Sequence, residues 1–202
     1  MTPPQDADAH RSRHLRVTEP SPWVGRFLPL IKAGGRVLDL AAGGGRHGRA
    51  ALSAGHAVTF VDRDVSALGD LADAQNAEII TADLEDGTDP FGASGALSAR
   101  TFDGVIVSNY LFRPILDSIV ASVAPGGVLI YETFARGNEA YSRPRNPDHL
   151  LKAGELLEAV AGKLQVVAYE CGAIEKEAAI AGVISRIAAI NKTEPQAVYP
   201  KS

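Results

Sequence analysis

The chain has little sulfur: one cysteine (Cys171) and one methionine among 202 residues, with a single tryptophan, Trp23. One thiol can form neither an internal disulfide nor a cysteine-cluster metal site, and it fits a reducing compartment. No apolar run is long enough to span a bilayer. Met1 to Glu19 is polar with no apolar centre, so it does not read as a signal peptide. The expected location is the cytoplasm, with no membrane partner. Excess positive charge is also absent. Lys and Arg number 20 against 24 Asp and Glu, a net charge of −4, which argues against a phosphate backbone as partner. Internal repeats are lacking. What is present is ordinary globular material, 46% hydrophobic and 22% charged, enough for one domain with a sizeable core.

Residues 1–18, with His10 and His14, read as a disordered, solvated tail rather than a metal tract, and residues 193–202 as a second tail around a single domain at 19–192. Ser21-Pro22 is a helix start, and Pro29 should end or kink that helix. Beyond Gly34-Gly35, short apolar runs alternate with helical spacing. Strands are expected at 36–40, 57–61, 78–81, 102–107 and 128–133. Helices are expected at 46–54, 65–74 and 112–123, with a long loop at 85–100 and a stop at Pro125-Gly126-Gly127. Such alternation predicts a mostly parallel sheet with helices on both faces. The last part differs: a helix at 150–160, then strands at 164–171 and 179–190 joined by a polar turn at Glu175 to Glu177, which must pair antiparallel. Cys171 is expected to be a small buried side chain, and the run near Val183 to Ile190 to be an edge that could pair between subunits, leaving monomer or homodimer open.

Gly43-Gly44-Gly45-Arg46-His47-Gly48 matches G-x-G-x-x-G between a strand and a helix. This pattern lets a ligand approach the backbone at the carboxyl end of the first strand, and dinucleotide enzymes share it. Asp39, four residues before Gly43, disfavours a pyrophosphate and suits a phosphate-free, positively charged guest; it can also bond the loop's own amides. Asp62, at the end of the second strand, stands where an acid accepts ribose hydroxyls in either cofactor type. Asp83, with Leu84 beside it, stands where an acid accepts an adenine amino group.

Val37 to Gly45 (VLDLAAGGG), Val61-Asp62, Ala82 to Leu84, Phe102 to Tyr110 (FDGVIVSNY) and Pro125 to Glu132 (PGGVLIYE) together resemble the ordered segments of class I S-adenosylmethionine-dependent methyltransferases. Asn109 to Pro114 and Tyr141 to Leu157 resemble the bacterial tellurite-resistance-protein-like group of that class. The resemblance implies a Rossmann-like fold, a seven-stranded, mostly parallel sheet with a C-terminal antiparallel hairpin. It implies S-adenosylmethionine as cofactor and a pocket roofed by the Glu132 to His149 segment. The residues it places on the cofactor are Asp39, Ala41, Gly43, Gly45, Asp62, Arg63, Asp83, Leu84, Ser108 and Asn109. Ala41 departs from the usual glycine there, and alanine disfavours a positive φ.

Methyl transfer to a small molecule is an in-line displacement that needs alignment and dryness more than proton transfer. A hydroxyl acceptor would need a base, whereas an amine or heteroatom anion would not. No catalytic residue is assigned. Candidates for the substrate pocket are Tyr110, Arg113, Arg136, Tyr141, Arg143 and His47, with Glu132 and Arg145 on the same loops. The arginines suggest an anionic substrate, or else ordinary loop charge. Two other readings share parts of this pattern: an NAD-type dinucleotide-binding oxidoreductase, and a non-catalytic S-adenosylmethionine-binding protein. No metal site is expected.

Overall fold

Branched apolar runs bounded by glycine and polar turns form the strands of one sheet. A computed structural model of the chain describes residues 18–176 and 179–192; the readings of the two tails, including His10 and His14, and part of the turn before residue 179 lie outside them. The strands are β1 (Arg36–Leu40), β2 (Ala57–Asp62), β3 (Ala77–Thr81), β4 (Phe102–Ser108), β5 (Val123–Phe134), β6 (Gln165–Lys176) and β7 (Ala179–Ile190). They form a seven-stranded sheet in the order β3-β2-β1-β4-β5-β7-β6. The first five pair in parallel, and β7 runs antiparallel to both β5 and β6.

Among the described residues four α-helices cover the sheet: α1 (Pro22–Phe27), α2 (Arg46–Ser53), α3 (Leu116–Ala121) and α4 (Glu155–Val160). Alternation along each strand divides the core in two. Leu38, Leu40, Val105, Val107, Leu129 and Tyr131 face α3 and α4. Val37, Phe60, Ile106, Val128 and Ile130 face Trp23, Val24 and Phe27 of α1 and Ala51 of α2. Ser21 caps α1 by accepting the Val24 amide at 3.1 Å, and Pro29 converts its end to a 3₁₀ turn over Leu28–Leu30. Trp23 is fully packed, and its Nε1 donates to the Ile187 carbonyl at 3.3 Å.

Several expectations are corrected. The segment 65–74 forms a 3₁₀ helix over Ser66–Leu71 rather than an α-helix. It contains Gly69 and starts from an Asp64 carboxylate that accepts the Ser66 amide; of its side chains only Leu68 is buried. The helix expected at 112–123 splits into a 3₁₀ turn at Arg113–Ile115 and α3, because Pro114 occupies the first turn and Val123 already pairs with Phe102. Pro125-Gly126-Gly127 does not end a segment. It is an irregularity inside β5, where the register on β4 slips between Phe102 and Gly104 and Gly126 adopts φ +78°. The helix expected from Leu150 starts only at Glu155, since Leu151 forms a parallel bridge with Ala135 and Gly154 turns the chain at φ +80°. β7 is interior, so the run Val183 to Ile190 is no edge; β6 is. Cys171 lies on that outer strand and is exposed, not buried.

The crevice follows from the strand order. The chain leaves β1 toward β2 and β3, then returns to the other side of β1 as β4, so the loops after β1 and β4 diverge. The seating of α2 fixes how deep that crevice is. A Cβ on Gly48 would lie 2.2 Å from Phe60 Cε1 and 2.9 Å from the Asp39 carboxylate, so only glycine lets the helix rest on β2. Gly48→Ala is therefore expected to lower stability by roughly 1–3 kcal/mol through overpacking. Urea unfolding checks this, and an unchanged midpoint would contradict the packing described.

Candidate functional site

Two cavities adjoin at the carboxyl ends of β1 to β5. One, of about 490 Å³, is bounded by Gly43, Gly44, Arg46 and His47 on one side and Ser108 to Leu111, Thr133, Phe134 and Arg143 on the other. The second, of about 590 Å³, runs past Asp62, Arg63, Asp64, Asp83 and Leu84. Ala41, Gly43, Gly44, Asn109 and Tyr110 face both, together with Glu85 and His149.

The backbone is held open by specific bonds. The Asp62 carboxylate accepts the Gly43 amide at 2.8 Å and the Asp64 amide at 3.0 Å, which ties the glycine loop to the end of β2. Asp83 accepts the Glu85 amide at 2.9 Å. Ala41 and Asn109, the first residues past β1 and β4, both take positive φ, +55° and +56°. For alanine this is a strained conformation, and it turns the chain outward at the rim where the loops part.

Of the residues assigned to the cofactor from sequence, Ala41, Gly43, Asp62, Arg63, Asp83, Leu84, Ser108 and Asn109 border one or both cavities. Asp39 and Gly45 do not. Asp39 points from β1 toward α2, is 1% exposed, and its Oδ2 accepts the Gly48 amide at 2.8 Å. Gly45 is packed against Leu68 and Phe60. Of the substrate-pocket candidates, His47, Tyr110 and Arg143 border the cavity of about 490 Å³. Arg113 does not: it binds the Glu155 carboxylate with two nitrogens and donates to the Asp148 and Leu150 carbonyls, holding the segment before α4. Arg136, Tyr141 and Arg145 are exposed outside both cavities, and Glu132 is buried beside Arg186, 3.4 Å away. Glu85 and His149 were not singled out from sequence. They lie 64 positions apart, Glu85 in a polar turn and His149 in a short 3₁₀ turn, and only the tertiary fold brings both to the crevice. Thr133 and Phe134 carried a weak signal, the carboxyl end of β5.

Burial dominates the electrostatics. It pushes the Asp39 carboxyl up to about 7, against the pull of the Gly48 amide and Arg46. It depresses His47 to about 3, with Arg46 adding to the effect. Burial, reinforced by Glu85 and Asp83, raises the Tyr110 hydroxyl above its ordinary range. His47 Nε2, Ser108 Oγ and Tyr110 Oη are buried without a hydrogen-bond partner among the described residues, and all three residues border the cavity of about 490 Å³. Such groups cost free energy unless something polar meets them. Among the described residues, no cluster of three or more His, Cys, Asp or Glu could hold a metal ion, and no helix is long and apolar enough to cross a membrane.

No protein-family model matches this sequence, and no curated protein matches it either. Solved structures do match in fold. TehB from Haemophilus influenzae aligns with TM-score 0.66 at 18% identity, over 90% of this chain and 65% of that one. N-methyltransferase NodS from Bradyrhizobium japonicum WM9, in complex with S-adenosyl-L-homocysteine, aligns with TM-score 0.61 at 16% identity, over 91% of this chain and 97% of that one. The Burkholderia thailandensis 1,6-didemethyltoxoflavin-N1-methyltransferase, with bound 1,6-didemethyltoxoflavin and S-adenosylhomocysteine, gives 0.61 at 16% identity, covering 95% and 92%. The chain thus has the Rossmann-like fold of class I S-adenosylmethionine-dependent methyltransferases.

The two shifted groups have opposite pH signatures. In the unfolded chain the Asp39 carboxyl ionises at its ordinary 3.8, while the folded chain keeps the proton up to about 7. The native state then holds the extra proton, so Asp39 lowers stability increasingly as pH rises through that interval. His47 protonates at its ordinary 6.5 when unfolded but only near 3 when folded, so it lowers stability as pH falls through that interval. Relative to the parent chain, Asp39→Asn is expected to gain stability as pH is raised from about 4 to about 7, and His47→Gln as pH is lowered from about 6.5. Urea midpoints across this range check both; curves parallel to the parent would contradict them.

Proposed function

We propose that the chain is an S-adenosylmethionine-dependent methyltransferase, with its domain at 19–192, acting on a small molecule. The observation that carries this reading is the pair of adjoining cavities where β1 and β4 part, one rimmed by carboxylates and the other by partnerless buried polar groups. In this reading Asp62 accepts the ribose hydroxyls, Asp83 the adenine amino group, and Leu84 packs on the ring, with Arg63 at the mouth. Ala41, Gly43, Ser108 and Asn109 wall the amino-acid end. S-adenosylmethionine supplies an electrophilic methyl on a sulfonium. The chain's own task is to hold donor and acceptor in line and keep water out.

The acid-lined cavity also separates this reading from a dinucleotide enzyme. Among the described residues Asp62, Asp64, Asp83 and Glu85 surround it against a single arginine, Arg63, a poor setting for a diphosphate. Asp39 does not supply that discrimination by contact, since its carboxylate is turned to Gly48. His47, with its depressed proton affinity, is a weak base at neutral pH, which favours an acceptor that attacks as an amine lone pair or an anion. The enzyme works in the cytoplasm, as monomer or homodimer, without nucleic acid.

Calorimetry with S-adenosylhomocysteine tests the reading: saturable binding is expected, and its absence at millimolar ligand would overturn it. Asp62→Ala is expected to weaken that binding roughly tenfold or more, because a charge-assisted acceptor is lost. Unchanged affinity would remove Asp62 from its role. Tighter binding of NADH than of S-adenosylhomocysteine would favour the oxidoreductase.

A further inference from the structure

Strand β5 ends at Phe134, opposite Ile184 of β7, yet the chain stays fastened to β7 beyond that point. The Ala135 amide donates to the Val183 carbonyl at 2.9 Å, and the Val183 amide donates to Oδ1 of Asn138 at 3.1 Å. The same oxygen accepts the Ser142 hydroxyl at 3.1 Å. Nδ2 donates to the carbonyls of Ser142 at 3.3 Å and Pro144 at 3.1 Å. Both ends of this amide are thus fully used, and Asn138 is 0% exposed. Its backbone carbonyl accepts the amides of Tyr141 and Ser142, both at 2.9 Å. A buried network satisfied in this way is rigid, and a member left unpartnered is costly. The fit extends into β7: a Cβ on Gly182 would lie 2.5 Å from Asn138 Oδ1 and 3.3 Å from Ser142 Oγ.

The segment held by Asn138 carries Arg143 and Pro144, and then His149, to the wall of the cavity of about 490 Å³. Its far end is fixed by Arg113, which donates to the carbonyls on either side of His149. Residues 145–148, between these two anchors, are exposed. We infer that Asn138 is a positioning residue for the acceptor side of the crevice. Its amide ties Ser142 and Pro144 to β7, and this tie sets how large a group the cavity admits beside the donor's methyl. The inference rests on the reading above, in which donor and acceptor meet in this crevice. The wall is then a fastened strap, and the size of the acceptor is read against Arg143 and Pro144.

Unmodified protein, Asn138→Asp and Gly182→Ala are each titrated by calorimetry with S-adenosylmethionine and with its analogues carrying S-allyl or S-benzyl in place of S-methyl. These groups project from the sulfonium toward the acceptor, so the ratio of affinities reports the room there, separately from overall stability. Asn138→Asp can still accept the Val183 amide and the Ser142 hydroxyl but no longer donates to Ser142 and Pro144. Gly182→Ala displaces the same amide from the opposite strand, and it decides alone should Asn138→Asp not fold. In unmodified protein, affinity is expected to fall roughly tenfold or more from S-methyl to S-benzyl, and each variant to shrink that fall by roughly fivefold or more. S-adenosylmethionine itself is expected to bind alike in all three proteins. Hydrogen exchange over residues 139–149 is expected to quicken about tenfold in the variants, with β1 and β4 unchanged. The inference is overturned if unmodified protein binds the three compounds alike, if the fall is the same in the variants, or if the variants weaken all three compounds equally. Failure of S-adenosylmethionine to bind unmodified protein is a different result, which overturns the proposed function itself.

Discussion

The close seating of α2 on the sheet is the contact on which the crevice depends. Gly45 and Gly48 leave room for the Phe60 ring, and the Asp39 carboxylate closes on the Gly48 amide. With the helix drawn down onto β1 and β2, its first turn puts Arg46 and His47 on the cavity wall, while Gly43, bonded to Asp62, forms the floor between the cavities. A bulkier residue at either packed glycine would lift the helix and carry the wall with it. The glycine motif thus serves packing at its second half and ligand access at its first.

That division explains the place of Asp39. Its carboxyl is buried deeply enough to keep a proton up to about neutrality, a cost that sits within the loop's own hydrogen bonding. Its alignment with the motif says where it is in the chain, whereas alternation along β1 decides which way it faces. Asp39 falls on the face of Val37, toward α2, and the cavities open beyond the strand's end.

The frame of the fold was legible in the sequence because its signals are local. Strand β1 follows from Arg36 to Leu40 alone, and the antiparallel ending from two runs joined by a short turn. Segments whose form depends on distant partners were less legible. Leu150 and Leu151 have helical neighbours, yet Leu151 bridges Ala135 in the parallel sense. Pro125-Gly126-Gly127 reads as a stop, yet the β4 register absorbs it. At the site, Asp62, Asp83, Ser108 and Asn109 follow strand ends and could be placed from sequence. Arg113 could not, because Glu155, 42 positions on, decides that its charge is structural.

Strand β7 has one more implication. It lies between β5 and β6, pairing with both over residues 184–190, although it is the last strand of the described residues. During synthesis β5 therefore waits with one side open until the sequence up to Ile190 is available, and the pairing that closes it is among the most distant in sequence. Sheets assembled this way gain their central hydrogen bonds late and expose a template edge meanwhile. Between the emergence of Phe134 and that of Ile190, the nascent chain is exposed to wrong pairing at the open side of β5.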